Sequence, residues 1–157
     1  MDDDEPSGKA VIAWIALIRS QRAALSNVTS DLRRADLPPL EWYDVLLELD
    51  RADEAGLRPR ALEARLLLAQ HNVSRLLDRL EAAGLIRKRP CGSDRRGQII
   101  SITAAGRELR RTMWPVYRAA IHRCIGERLN DVEAAQLATL LEKLVDPAPL
   151  AAKRRTS

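Results

Sequence analysis

Polar and charged side chains occupy one side of a predicted amphipathic helix at residues 69–83. Val73, Leu76, Leu77 and Leu80 recur at i, i+3, i+4 and i+7, which is the spacing of a buried helical face. The polar side holds Gln70, His71, Asn72, Ser74, Arg75 and Arg79. Gln and Asn side chains can form paired hydrogen bonds with adenine, and Arg can do so with guanine. These residue types therefore favour a helix that contacts the edges of DNA bases.

A basic hairpin is predicted directly after this helix. Residues 85–89 and 98–102 have the composition of short strands, and the turn formers of residues 90–97 predict a long loop between them. Arg95 and Arg96 near the tip suit DNA phosphates or a narrow minor groove. We expect Asp94 to orient a neighbouring arginine, because a carboxylate that faced DNA would be repelled.

The elements that must position these side chains are mostly helices. Helical spacing of apolar residues predicts a first helix at residues 9–35, a second that ends before Gly56, and a short third helix at residues 59–66. Thr103 is expected to cap a long helix. Asn130 and Glu133 form a variant capping box ahead of the last helix. The order of elements predicts a mainly α fold with a small β-hairpin wing, the layout of a winged helix-turn-helix.

Charge is distributed unevenly along the chain. Residues 1–57 contain twelve acidic and six basic residues, whereas residues 58–157 contain ten acidic and twenty basic residues. A basic second portion that includes the predicted helix and hairpin favours a polyanionic partner, double-stranded DNA.

Other classes of function find little support in the residues. No apolar segment approaches the roughly 20 residues of a membrane-spanning helix, so no membrane partner is expected. Cys91 and Cys124 lack the spacing of a disulfide framework or a zinc site. The two histidines have no nucleophile motif or glycine-rich phosphate loop beside them. We therefore expect a cytoplasmic protein that is not an enzyme and has no cofactor or metal.

The residues resemble the multiple-antibiotic-resistance regulator (MarR) family of bacterial repressors from about Leu37 to Leu144. The most specific part of the resemblance runs from Asn72 to Ile86, and it continues in Asp94-Arg95-Arg96 and in residues 102–107. Gln70 to Arg75 match the family's reading segment, and Asp94 and Arg96 match its wing motif. The chain departs from many members at Pro38-Pro39, where they have Ser or Thr as a helix cap.

The resemblance implies a homodimer that binds a pseudo-palindromic DNA operator and represses transcription. It divides the chain into a disordered N-terminus at residues 1–8, an N-terminal dimerisation helix at 9–36 and a winged helix-turn-helix domain at 37–103. C-terminal dimerisation helices at 104–147 and a basic tail at 148–157 follow. The reactive cysteine that peroxide-sensing members have in the first helix is absent from residues 9–35, so that mechanism is not transferred.

The resemblance also implies a small-molecule effector, often aromatic or phenolic. Trp14 and Trp42 are candidates to line its pocket, because they lie on the first and second predicted helices; packing in the core is the alternative for each. Two other readings stay open. One is a regulator that responds to oxidation of Cys91 in the wing. The other is a winged-helix module that binds a protein, although the polar reading face lacks the apolar centre of a protein interface.

Overall fold

The computed structural model describes residues 5–68, 71–92 and 94–145, with the backbone alone at residues 94–96. The described helices and strands are α1 (Gly8–Arg34), α2 (Leu40–Ala52), α3 (Pro59–Glu63), α4 (Val73–Ala82), β1 (Ile86–Cys91), β2 (Asp94–Ile102), α5 (Ala104–Ile121) and α6 (Asp131–Glu142). A short 3₁₀ helix follows α2 at Asp53–Ala55, and a π-helical turn follows α5 at His122–Gly126. The chain divides into two compact units, residues 1–120 and 121–157.

The first helix ends without a glycine. Asp36 takes the left-handed conformation, with φ of 54°, which Asp tolerates better than most residues. The Leu37 amide donates to the Leu32 carbonyl at 2.9 Å, and the Asp36 amide to the Arg33 carbonyl at 3.1 Å, so two terminal carbonyls are satisfied. Pro39 then serves as the N-cap of α2 without a side-chain hydrogen bond. The backbone thus provides the turn where the sequence lacks a Ser or Thr cap.

A winged-helix core forms where α2, α3, α4 and the hairpin meet. Its buried members are Val45, Leu46, Leu49, Leu57, Leu62, Leu76, Leu77, Leu80, Leu85, Ile86, Ile100 and Ile102. Val73 and Trp42 are partly buried and pack against this cluster. The apolar stripe predicted for the fourth helix is therefore confirmed.

Helix α4 begins later than the sequence predicted. The Asn72 side chain accepts a hydrogen bond from the Arg75 amide at 2.9 Å and so becomes the N-cap. The prediction that the helix starts near residue 69 was wrong, because this cap sets the first helical residue at Val73. His71 precedes the helix, and Gln70 lies outside the described residues.

The end of α4 is a Schellman motif. Gly84 has φ of +73°, its amide donates to the Glu81 carbonyl at 2.8 Å, and the Leu85 amide donates to the Leu80 carbonyl at 3.0 Å. Leu85 and Leu80 are both buried in the winged-helix core. This ending, predicted from Gly84, turns the chain directly into the hairpin.

The hairpin is more fully paired than expected. The antiparallel register runs from Ile86 opposite Ile102 to Pro90 opposite Gln98, then shifts so that Cys91 faces Asp94. The predicted loop of residues 90–97 was therefore wrong, because Pro90, Cys91 and residues 94–97 lie in the two strands. Leu57 forms an isolated bridge with Ile100 through two backbone hydrogen bonds, of 2.9 and 2.8 Å.

Thr103 joins the hairpin to α5. Its hydroxyl donates to the Gly84 carbonyl at 2.7 Å and accepts from the Gly106 amide at 3.1 Å, which confirms the predicted cap. A second cluster lies between α1, α2 and α5 and buries Val28, Leu32, Leu40, Tyr43, Met113 and Ala120. Helix α2 therefore packs into both clusters of this unit.

In the second unit, described as far as Val145, α6 begins with the predicted capping box. The Asn130 side chain accepts from the Glu133 amide, and the Glu133 carboxylate accepts from the Asn130 amide, both at 3.0 Å. Apolar side chains of this segment are exposed, among them Val132, Leu140, Leu141, Leu144 and Val145. An open groove runs along α6, lined by Asp131, Val132, Ala135, Gln136, Thr139 and Leu140.

The two predicted terminal segments fall largely outside the description. Residues 1–4 and the basic tail at 148–157 are outside the described residues, and the disorder predicted for the N-terminus stays a prediction. No helix within the described residues combines the length and hydrophobicity that a membrane crossing needs.

Candidate nucleic-acid interface

The outer face of α4 is polar and exposed. Ser74, Arg75 and Arg79 are exposed on the helix, and His71 is exposed just before it. Leu76, Leu77 and Leu80 are buried on the inner face. Arg75 and Arg79 are four residues apart and so share one side of the helix. The helix therefore anchors by one face and presents hydrogen-bonding groups on the other.

Asn72 has a structural task at the start of this face. Its side-chain oxygen accepts a hydrogen bond from the Arg75 amide, and its amide N–H groups take no part in that cap. The DNA contact predicted for Asn72 stays a prediction. Gln70, predicted beside it, lies outside the described residues.

The acidic residues of α4 are paired with a single lysine. Lys88 of β1 forms ion pairs with Asp78 and with Glu81, the latter at 3.6 Å, and its backbone amide donates to the Glu81 carboxylate at 3.2 Å. The Lys88 side chain is only 14% exposed. Lys88 thus ties the wing to α4 and offsets the two negative charges on that helix. Among the described residues, neither Arg75 nor Arg79 is held in such a pair.

The wing carries further cations next to this helix. Arg87 and Arg89 of β1 are exposed. Asp94, Arg95 and Arg96 belong to β2, but their side chains are outside the description, so their predicted contacts stay predictions. Cys91, at the end of β1, accepts a hydrogen bond from Arg58 at 3.4 Å between Nη2 and Sγ.

Three arginines around α3 were not among the DNA contacts predicted from the sequence. Arg58, Arg60 and Arg65 are exposed before, within and after this short helix. In a helix-turn-helix, the helix that precedes the reading helix crosses the DNA backbone. The signal was present as three arginines within eight residues of a predicted short helix, which adds them to the candidate phosphate contacts.

Two other arginines have internal partners. Arg107 pairs with Asp50 at 3.0 Å and with Asp53 at 2.9 Å, and Arg110 pairs with Asp50 at 2.7 Å. These bonds join α5 to the end of α2 and its 3₁₀ extension. Arg107 and Arg110 therefore belong to the scaffold, although both contribute to the basic character of the second half of the chain.

The two tryptophans proposed for an effector pocket are in different surroundings. Trp14 is 64% exposed on α1, whereas Trp42 packs against the winged-helix core. The ring contacts found among the described residues join Tyr43, Trp114 and Tyr117, with centroids 5.1–6.2 Å apart. The sequence did not point to this cluster, because its members lie on α2 and α5, some 70 residues apart.

Ionisable groups beside the aromatic cluster are perturbed by burial. Desolvation raises the pKa of the Asp44 carboxyl, and nearby Glu48 and Glu41 add to the increase, while the backbone amides of Leu68 and Leu67 oppose it. Burial likewise raises the pKa of the Tyr117 phenol, with Asp44 and Tyr43 adding to the effect. In the described parts of the chain, no group of three or more His, Cys, Asp or Glu side chains is arranged to hold a metal ion.

A helix-turn-helix followed by a two-stranded wing defines the winged helix-turn-helix class. Residues 35–97, which contain the helix-turn-helix, β1 and the start of β2, match the sequence model described as MarR family. This segment is therefore similar to the MarR family, in agreement with the resemblance predicted from the sequence. Members of that family are transcriptional regulators, which agrees with the prediction that the chain is not an enzyme.

The transcriptional repressor MprA of Escherichia coli strain K12 is 28% identical over 103 residues. The match covers 66% of this chain and 58% of MprA, so the chain spans less than two thirds of that relative. A MarR family transcriptional regulator from Streptomyces coelicolor, solved in complex with DNA, superposes with a TM-score of 0.80 at 24% identity, over 90% of this chain and 91% of that one.

The chain is also similar to BpsR of Bordetella bronchiseptica, whose structure concerns the regulation of DNA binding by 6-hydroxynicotinic acid. It superposes with a TM-score of 0.72 at 21% identity, over 84% of this chain and 97% of that one. These structural likenesses confirm the predicted fold class.

Proposed function

We propose that the chain binds double-stranded DNA sequence-specifically and represses transcription. The observation that carries the proposal is the division of α4 into a buried leucine face and an exposed face with Ser74, Arg75 and Arg79. The major groove admits one α-helix, and such a helix reads base edges when its other face is held by a scaffold. Arg75, in the first turn of α4, is our candidate for a guanine contact.

The charges around α4 support the proposal that its exposed face contacts DNA. The arginines on α4 are uncommitted among the described residues, whereas Asp78 and Glu81 are paired with Lys88. Arg60 and Arg65 near α3, and Arg87 and Arg89 on the wing, add exposed cations beside the same helix. We assign phosphate contacts to these residues and, from the sequence resemblance, to Arg95 and Arg96. The DNA target also supports the cytoplasm as the place of action.

A repressor role and a homodimer are part of the proposal. MprA is a transcriptional repressor, and the Streptomyces coelicolor regulator is described in complex with DNA. Each unit of this chain exposes apolar side chains that a second copy could cover: Val11, Ile12, Trp14 and Ile15 on α1, and Val132 and Leu140 on α6. Two copies of α4 would read half-sites about 10 base pairs apart in a pseudo-palindromic operator.

We further propose that a small aromatic or phenolic ligand modulates DNA binding. The regulation of BpsR by 6-hydroxynicotinic acid supports the ligand class. Tyr43, Trp114 and Tyr117 form a ring cluster in which Trp114 is partly exposed. Because several rings meet there and one of them is accessible, this cluster is a better candidate to contact such a ligand than Trp14 or Trp42. A ligand acts in this way only if it binds the DNA-competent and DNA-incompetent arrangements with different affinities.

The first experiment is fluorescence anisotropy with duplex DNA. Duplexes enriched by the wild-type chain from a random library of about 30 base pairs, long enough for two half-sites, are compared with scrambled duplexes at several salt concentrations. A specific regulator should prefer the enriched sequence by about a thousandfold or more and show a steep salt dependence. Equal and weak binding to both duplexes would contradict the proposal and favour the protein-interaction module.

Arg75→Ala tests the base contact itself. We expect a loss of about 1–3 kcal/mol that is concentrated at one base position, because a paired contact to guanine carries base identity. Arg33→Ala removes an exposed arginine from α1 and serves as the control for net charge. An equal loss on every sequence would assign Arg75 to a phosphate and contradict its reading role.

A further inference from the structure

A buried carboxylate on α2 connects that helix to the turn that precedes the reading helix. Asp44 is 7% exposed on α2. Its Oδ2 accepts the backbone N–H of Leu68 at 2.8 Å. The two residues are 24 positions apart, so this bond fixes tertiary structure and does not belong to a local turn motif.

The position of Leu68 makes this bond relevant to α4. Leu68 lies four residues before the Asn72 N-cap, and its side chain packs partly buried against the cluster of α1, α2 and α5. Its neighbour Leu67 is 75% exposed. The Asp44 bond is therefore a polar anchor at the point where the turn passes from the exposed Leu67 to the packed Leu68, ahead of the reading segment.

Burial of a carboxylate is costly, so its retention calls for a compensating contact. Turn backbone at Leu68 has no helical carbonyl to accept its N–H, and an unsatisfied amide in a partly buried position would also be costly. Glu48, one turn further along α2, is similarly buried but pairs with Arg51 at 2.7 Å. The two buried carboxylates of α2 thus have different partners, and among the described contacts it is Asp44 that bonds to the turn.

We propose that Asp44 is a positioning residue for DNA reading: by holding the Leu68 amide, it sets where His71 and the first turn of α4 stand against the groove. The inference rests on the proposed DNA-binding function and adds a specificity-determining residue that does not itself touch DNA. Residues of α4 read bases only when they are held within a fraction of an ångström of the correct position. The turn precedes the N-terminus of α4, so its position affects where that end of the helix lies.

The test compares Asp44→Ala, Asp44→Asn and Glu48→Gln with the wild-type chain. The Asn variant keeps an oxygen that can accept the Leu68 amide, the Ala variant removes it, and the Gln variant alters a buried carboxylate of the same helix that holds Arg51. Affinity is measured for a duplex enriched by the wild-type chain and for a scrambled duplex, at a temperature where thermal unfolding shows every variant folded. Amide hydrogen exchange at Leu68 is measured by NMR in the same samples.

We expect Asp44→Ala to lose about tenfold or more in affinity for the enriched duplex, the scale of one lost buried hydrogen bond, with scrambled-duplex affinity unchanged. Asp44→Asn should restore most of the loss, and Glu48→Gln should match the wild type. Exchange at the Leu68 amide should accelerate in Asp44→Ala alone.

An equal loss of affinity for both duplexes, or no loss in Asp44→Ala, would overturn the positioning role. Failure of the wild-type chain to enrich any duplex would instead overturn the proposed function. The exchange rate at Leu68 separates these results, because it reports the Asp44 bond without DNA. Unchanged exchange in Asp44→Ala would show that Asp44 does not hold the turn.

Discussion

Arginine side chains in the first unit divide by their surroundings. Arg75 and Arg79 are exposed on α4, whereas Arg107 and Arg110 converge on the Asp50 carboxylate. A guanidinium committed to a buried or half-buried carboxylate loses the freedom to approach a phosphate. Candidate DNA contacts are therefore identified by whether each arginine already binds a carboxylate of the scaffold. A count of basic residues cannot separate the exposed arginines from the paired ones.

Asp44 gives a pH dependence whose direction follows from its raised pKa. Because the folded state favours the protonated carboxyl, the native chain binds more protons than the unfolded chain in the window above the ordinary pKa of 3.8. The stabilisation from this group is fully present below 3.8 and is lost as pH rises through the raised pKa. We expect the wild type to lose unfolding free energy relative to Asp44→Asn across that window.

Urea denaturation of both chains at a series of pH values measures this difference. The Asn variant is the reference because it does not titrate, and all other groups are shared. A wild type that gained stability relative to Asp44→Asn with rising pH would show that the amides of Leu68 and Leu67 outweigh burial. For Tyr117, the stability of the wild type relative to Tyr117→Phe should fall with pH only near and above the ordinary tyrosine pKa of 10.0, because the raised pKa makes the native chain bind more protons there.

Elements of the winged-helix unit are joined by backbone features at their ends. The Schellman motif at Gly84 directs α4 into β1, and the Leu57–Ile100 bridge brings the segment after α2 onto β2. Both junctions contain a glycine with positive φ, Gly84 in the first and Gly56 in the second. Gly84 is required only for its backbone conformation, whereas at Gly56 an added side chain would also clash with its neighbours.

Gly56→Ala should destabilise the chain more than Gly84→Ala. At Gly56, φ is 65° and ψ is −173°, a region essentially restricted to glycine, and an added Cβ would lie 2.5 Å from the Ile100 carbonyl oxygen. At Gly84, φ is +73° and a Cβ would meet nothing within 4 Å. We expect about 1 kcal/mol for Gly84→Ala from conformation alone and at least about 2 kcal/mol for Gly56→Ala. Chemical denaturation measures both, and equal losses would show that the contact with Ile100 relaxes at no cost.

The two units differ in how many of their apolar side chains are buried. Residues 1–120 bury two clusters, whereas in the described part of residues 121–157 no hydrophobic side chain of α6 is buried. A helix with apolar residues on its surface normally gains stability from a partner that covers them. The proposed homodimer supplies that partner.

Leu140→Glu tests the proposed dimer. Leu140 is 58% exposed and lines the groove on α6, so a carboxylate there would be buried unpaired if a second copy covers the groove. Sedimentation velocity should show the variant shifted toward monomer at concentrations where the wild type is dimeric. Ala138→Glu adds the same charge to an exposed position of the same helix that is outside the groove lining, and it should leave the dimer intact. Equal behaviour of the two variants would contradict a role for the groove.

Local patterns predicted several elements correctly. The Leu76, Leu77 and Leu80 stripe, the Gly84 helix end, the Thr103 cap and the Asn130–Glu133 capping box depend on residues within a few positions of each other. The extent of α4 and of the hairpin was predicted wrongly. Asn72 is compatible with a helix interior or a cap, and residues 90–97 contain turn formers that pairing with the opposite strand still places in strands.

The sequence by itself determined the order of elements, the amphipathic reading helix and the family resemblance, because these arise from short-range spacing and from residue types. Only the tertiary structure decided which charged groups are committed to the scaffold. The bonds from Lys88 to Asp78, from Arg107 to Asp50 and from Asp44 to Leu68 span 10, 57 and 24 residues. Such pairings depend on how helices and strands pack in three dimensions, so they cannot be predicted from the spacing of residues along the sequence.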